Sequence, residues 1–132
     1  LSSRIAALTG ASREIDAEIA DLLGWDHSGY PRADFEVSGR WQRELPSTYP
    51  DYVDCPNYTA NIMHVFDECD KRGWFKTIDD TNFKVVVEIW PTFRSKMTAF
   101  DWVASASRKD YNVTLAACEA LVRAVENNAN GA

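Results

Sequence analysis

The stretch Phe83-Lys84-Val85-Val86-Val87-Glu88-Ile89-Trp90-Pro91 decides how this chain folds. Phe83, Val85, Val87 and Ile89 alternate with Lys84, Val86, Glu88 and Trp90, and Pro91 closes the run. A period of two with one strongly apolar face is the mark of a half-buried strand. Upstream, Asp79-Asp80-Thr81-Asn82 predicts a hairpin turn, and Trp74 to Ile78 predicts the strand before it. Downstream, Thr98 to Ala106 predicts a third strand, with Phe100, Trp102 and Ala104 on one side. Strands this close in sequence form an antiparallel meander, because parallel pairing needs a long crossover.

Helices flank the meander. Leu1, Ile5 and Leu8 predict a short helix ended by Thr9-Gly10. Ile15, Ile19, Leu22 and Leu23 form the apolar face of a second, with Glu14 and Asp16 favourably placed in its first turn. Gly24 suits its C-terminal cap, and Trp25 can fold back as the hydrophobic contact of that cap. Thr59 predicts the N-cap of a third helix running to about Arg72, with Ile62, Phe66 and Cys69 inward and Met63 and Val65 flanking. Gly73 stops it. Asn112 caps the last helix, whose inner face is Leu115, Cys118, Leu121, Val122 and Val125, and the residues after Asn127 read as a fraying tail. The expected fold is α+β: a layered α/β sandwich in which a three-stranded, mainly antiparallel sheet is packed by helices. Residues 1–132 form one domain: a helical part at 1–24, a long loop at 25–57, an α-β-β-β-α unit at 58–127 and a tail at 128–132.

Composition limits the function classes. The chain has 132 residues, 45% hydrophobic and 12% aromatic, enough to bury a core and too apolar for disorder. Fourteen Lys and Arg oppose 20 Asp and Glu, a net charge of −6, which argues against nucleic-acid binding through a basic face. No apolar run has the length of a membrane span, and no charged-then-apolar segment opens the chain. The start at Leu1 suggests that a tag or leader was removed. Cys55, Cys69 and Cys118 fit neither a disulfide framework nor a metal motif, which favours a reducing cytoplasm. The sequons at Asn57 and Asn112 also read as helix starts and carry no weight as glycosylation sites.

From Trp25 to Asn57 the periodicity vanishes. Four of the five prolines fall here, among Trp25, Tyr30, Phe35, Trp41, Tyr49 and Tyr52, so the segment reads as an ordered loop wrapped over the core. Val37 to Trp41 leaves room for a short strand or turn. Packing accounts for these aromatics, and so does recognition: Trp25, Tyr30, Trp41 and Tyr52 are the candidate interface residues.

Three stretches resemble a known family. Ile5-Ala6-Ala7-Leu8-Thr9-Gly10-Ala11-Ser12-Arg13-Glu14-Ile15-Asp16 is similar to the "ALTGPDRELD" opening of the phage ABA-sandwich domains. Pro56-Asn57-Tyr58-Thr59-Ala60-Asn61-Ile62 resembles their "PxYTxSxDAA" helix start, followed by a Gly-Trp pair, here Gly73-Trp74. Thr114 to Leu121 resembles their "TPALALCxAAL" closing helix. Ala11 stands for the family's proline, Asn61 for its serine, and Met63-His64 for its Asp-Ala pair. The resemblance implies a phage or prophage protein with a layered α/β fold, and carries no catalytic residues with it.

The chemistry offers few alternatives. His64 has Asp67 at i+3 and Glu68 at i+4, a trio able to ligate a metal or serve a small hydrolase, or simply a solvated helix face. Asp26-His27-Ser28 holds the residue types of a triad, but three consecutive residues cannot adopt its relay geometry. Cys55 precedes a helix start, which lowers a thiol pKa, while Asp51 and Asp54 beside it raise it. No phosphate-loop, dinucleotide, zincin or nucleophile-elbow pattern occurs. No catalytic residue and no cofactor is assigned. Residues 1–82 carry 15 acids against 8 bases, and residues 83–132 carry 5 against 6. An acidic front half of this kind suits a nucleic-acid mimic that inhibits a host defence protein. The leading expectation is a non-catalytic module that binds a protein partner or itself.

Overall fold

The computed structural model describes residues 1–26, 41–43, 51–90 and 103–131, with backbone alone at 42–43, 51–53 and 128–131. In chain order the elements are α1 (Ser2–Ala6), α2 (Arg13–Leu22), β1 (Trp41–Arg43), β2 (Asp51–Val53), α3 (Ile62–Arg72), β3 (Phe75–Thr81), β4 (Lys84–Trp90), β5 (Ala104–Arg108) and α4 (Val113–Gly131).

The meander forms as an antiparallel sheet of order β3-β4-β5. Its hairpin is tighter than the sequence suggests. Thr81 pairs with Lys84, so the reversal takes only Asn82 and Phe83, both at positive φ (51° and 60°). That is a type I′ turn, whose twist matches the strands it joins. Asp79, Asp80 and Thr81 therefore extend β3 and pair with Val86, Val85 and Lys84, where the sequence predicts a turn. Phe83 leaves the strand for the turn. The first half of the expected third strand, with Phe100 and Trp102, lies outside the described residues; Ala104 and Ala106 are buried as the alternation requires.

One face of the sheet, carrying Val85, Val87, Ile89, Ala104 and Ala106, is buried against α4. The Asn112 side chain caps this helix, accepting the Leu115 amide at 3.0 Å. The expected stripe of Leu115, Cys118, Leu121 and Val122 is fully buried, but so are Ala116, Ala117, Ala120 and Ala124. The reason is position: α4 meets β4 and β5, and also α1, α2 and α3. It is the central element, and alanines let its neighbours approach. Its backbone stays helical to Gly131, beyond the Asn127 limit read from the sequence.

The two middle helices end alike. Trp25 donates its amide to Ala20 across Gly24 (φ +91°), and Trp74 donates to Cys69 across Gly73 (φ +72°). Both are six-to-one Schellman closures, and both tryptophans fold back into buried positions. Helix α3 starts two residues later than predicted. Asn61 is its N-cap, accepting the Met63 amide, because Thr59 is committed elsewhere. Val65 and Cys69 form the buried centre of α3, with Ile62 and Phe66 only partly covered and Met63 exposed. Strands β1 and β2 form a separate antiparallel ladder, Trp41 opposite Val53. At three residues each, they are too short to show a period in the sequence. Arg108 ties the end of β5 to the end of α1: its guanidinium donates to the carbonyls of Ile5, Ala6 and Leu8, satisfying carbonyls left open at the end of α1, and pairs with Asp110.

Candidate functional site

A buried polar node underlies a large cleft. Asp16, in the first turn of α2, is 1% exposed. Its Oδ1 accepts the Thr59 hydroxyl at 2.6 Å and the Thr59 amide at 2.8 Å, and its Oδ2 meets Arg13 Nη1 at 2.9 Å. The Thr59 oxygen accepts the Ser12 amide at 2.9 Å, and Arg13 Nη2 donates to the Cys55 carbonyl at 2.9 Å. A buried carboxylate is tolerated only when its lone pairs are met, and here three donors meet them. The node joins the Ser12–Asp16 turn to the Cys55–Thr59 segment. Alongside it, Trp25 Nε1 donates to the Tyr58 hydroxyl at 3.0 Å, and the Cys118 thiol to the Tyr58 carbonyl at 3.1 Å.

The cleft, about 660 Å3, is lined by Arg13, Trp25, Asp54, Cys55, Pro56, Asn57, His64 and Lys71. Its charges are matched rather than one-sided. Arg13 is engaged by Asp16, and Lys71 shares the wall with Asp54.

The sequence-derived metal trio does not assemble. His64 borders the cleft, its ring edge-on to Tyr58 at 6.2 Å between centroids. Glu68 is instead buried and paired with Arg72 at 3.1 Å, and Asp67 is exposed. Among the described residues, no group of three His, Cys, Asp or Glu side chains is placed to hold a metal. The thiols are poor nucleophiles. Burial pushes Cys55 and Cys69 up to about 12, outweighing the Arg13 charge at Cys55 and the Lys76 charge at Cys69. Burial raises Cys118 as well.

The four candidate interface aromatics separate. Trp41 is 1% exposed and belongs to the core, so it is corrected from anchor to packing residue. Trp25 is 8% exposed, held by its cap and by Tyr58, and offers only an edge to the cleft. Tyr30 and the Tyr52 side chain lie outside the described residues, as does His27.

The most exposed aromatic among the described residues is one whose spacing predicts a strand position. Phe83 stands at the apex of the β3–β4 hairpin, 90% exposed, at φ +60°. In a type I′ turn that position belongs to glycine, and a bulky L-residue there stores strain. The signal available in the sequence was Asn82, a residue at ease in the left-handed region, directly before Phe83. Asp16 was missed for another reason: its partner Thr59 is far along the chain, and nothing local distinguishes it from an ordinary first-turn acid.

The fold and site define an α+β protein with a buried Arg-Asp-Thr node and an apolar hairpin tip. No protein-family model, curated protein or solved structure matches this chain.

Proposed function

We propose that this chain is a non-catalytic protein-interaction module that engages a partner with the tip of its β3–β4 hairpin. The observation carrying the reading is Phe83, an aromatic side chain 90% exposed and held in a backbone conformation that favours glycine. Strain retained at an exposed apolar residue has no packing reward among the described residues, and aromatic side chains are common anchors of interfaces. The resemblance to the phage ABA-sandwich domains supports a phage or prophage accessory role. The three free thiols support work in a reducing bacterial cytoplasm.

The substitution Phe83→Gly separates binding from folding. Glycine relieves the positive φ, so the variant is expected to be more stable by about 1 kcal/mol, while losing the anchor. Wild-type and Phe83→Gly proteins are immobilised and exposed to bacterial and phage-infected lysate. A stoichiometric partner retained by the wild type and lost by the variant, together with a raised melting temperature, is the expected result. Equal retention by both, or retention of nothing by either, overturns the reading.

A further inference from the structure

Among the described residues the sheet ends at β3, a strand whose charges complement their own image. Among the described residues β3 pairs only with β4, in an unbroken register from Phe75–Trp90 to Thr81–Lys84. It is seven residues long and has neither proline nor bulge. In the two-residue hairpin, Thr81 and Lys84 exchange both hydrogen bonds, and bonded and non-bonded pairs alternate from there. Lys76, Ile78 and Asp80 thus fall at non-bonded positions and direct their amides and carbonyls away from β4. Their side chains share the face that carries Val85, Val87 and Ile89, but α4 lies over β4 and β5, leaving Ile78 47% exposed.

We infer that β3 pairs antiparallel with β3 of a second copy of this chain, about a two-fold axis at Ile78, joining two three-stranded sheets into one. In this register Ile78 lies opposite Ile78 of the second copy, and Lys76 lies opposite its Asp80, twice over. The three outward-facing residues on each strand supply about six inter-chain backbone hydrogen bonds. Charges on an edge strand ordinarily deter pairing. Here they select one register. Moving the axis by one residue towards Asp79 sets that acid against its own copy, which is unfavourable for like charges directly opposed. Moving it to Thr77 sets Lys76 against Ile78 and loses both ion pairs. Lys76 is held at the edge by Asp70 at 2.7 Å, and Asp80 stands beside the Tyr111 hydroxyl. The inference does not use Phe83 and stands independently of the proposed partner.

Sedimentation equilibrium on the full chain tests it. The wild type is expected at twice its 14.9 kDa monomer mass. Lys76→Asp and Asp80→Lys each oppose like charges and are expected to sediment as monomers, and the double variant carrying both returns to the dimer. Ile78→Pro removes an outward amide at a position where an edge strand tolerates proline, so it gives a folded monomer, as judged by its circular dichroism. A wild-type mass of one chain at about 1 mM, beyond which association is too weak to matter, overturns the inference. So does a dimer that survives Lys76→Asp and Ile78→Pro, or a double variant that stays monomeric while melting like the wild type.

Discussion

With Asp16 replaced by alanine, the Thr59 amide and one Arg13 nitrogen lose their acceptor inside the protein, and the Thr59 hydroxyl keeps only the Ser12 carbonyl at 3.2 Å. Arg13 is 37% exposed and keeps the Cys55 carbonyl, so the cost falls chiefly on the buried Thr59 amide, and Asp16→Ala is expected to cost about 1–3 kcal/mol in a urea melt. A loss below about 1 kcal/mol would show that water substitutes for the carboxylate. This residue also marks a limit of sequence reading. As a first-turn acid on α2 it is favourable beside the helix dipole, and that local role is all the pattern carries. Its burial is decided by Thr59, which itself reads as a helix cap until the node claims its hydroxyl. Trp41 erred in the opposite direction: a tryptophan in a proline-rich loop suits an interface as well as a core, and only the fold places it in the core.

At the scale of elements, punctuation was more legible than function. Gly24-Trp25 and Gly73-Trp74 both announce helix ends, because the left-handed closure needs a residue without Cβ and the following side chain needs an apolar site. No atom lies within 4 Å of an added Cβ at Gly73, so its substitution is opposed by conformation alone. Gly73→Ala is expected to lower stability by about 1–2 kcal/mol, read from the denaturation midpoint at unchanged slope. The connection into α4 carries a pH dependence. The hydrogen-bonded Arg108 guanidinium, helped by the Asn112 amide, lowers the Asp110 carboxyl to about 2. Asp110 therefore stabilises the fold fully above its ordinary carboxylate range near 4 and loses that contribution as pH falls through about 2. In an acid titration of melting temperature, the wild type should fall more steeply over this window than Asp110→Asn. Parallel curves would mean that the ion pair is fully screened by solvent. The sequence puts the centre of the hairpin turn two residues short of its apex, since Asp79, Asp80 and Thr81 are ordinary turn residues that here continue the ladder.

Across the whole molecule, the α+β class follows from one alternating strand and the helices around it, and the sequence was sufficient for both. The central position of α4 was not legible. Its leucines and valines trace a single stripe, and alanine, common on buried and exposed helix faces alike, says nothing about the rest. Only the convergence of the sheet with α1, α2 and α3 on this helix shows that the alanines are contact points. Leu121→Ala is therefore expected to cost about 2–5 kcal/mol, with loss of near-ultraviolet circular dichroism from tryptophans far from the substitution. A cost near that of a surface truncation would mean that the layers hold together without α4.

Because α4 is made after every helix it packs against, the earlier helices have to wait for it. Helix α3 is complete at Arg72 and α4 begins only at Val113. At ~5–20 residues per second, the intervening chain takes roughly 2–8 seconds to synthesise. During that interval the inner faces of α1, α2 and α3 lack the helix they pack against, and the hairpin lacks its cover. This protein is thus most open to chaperones, proteases and mispairing of its β3 edge while it is being translated.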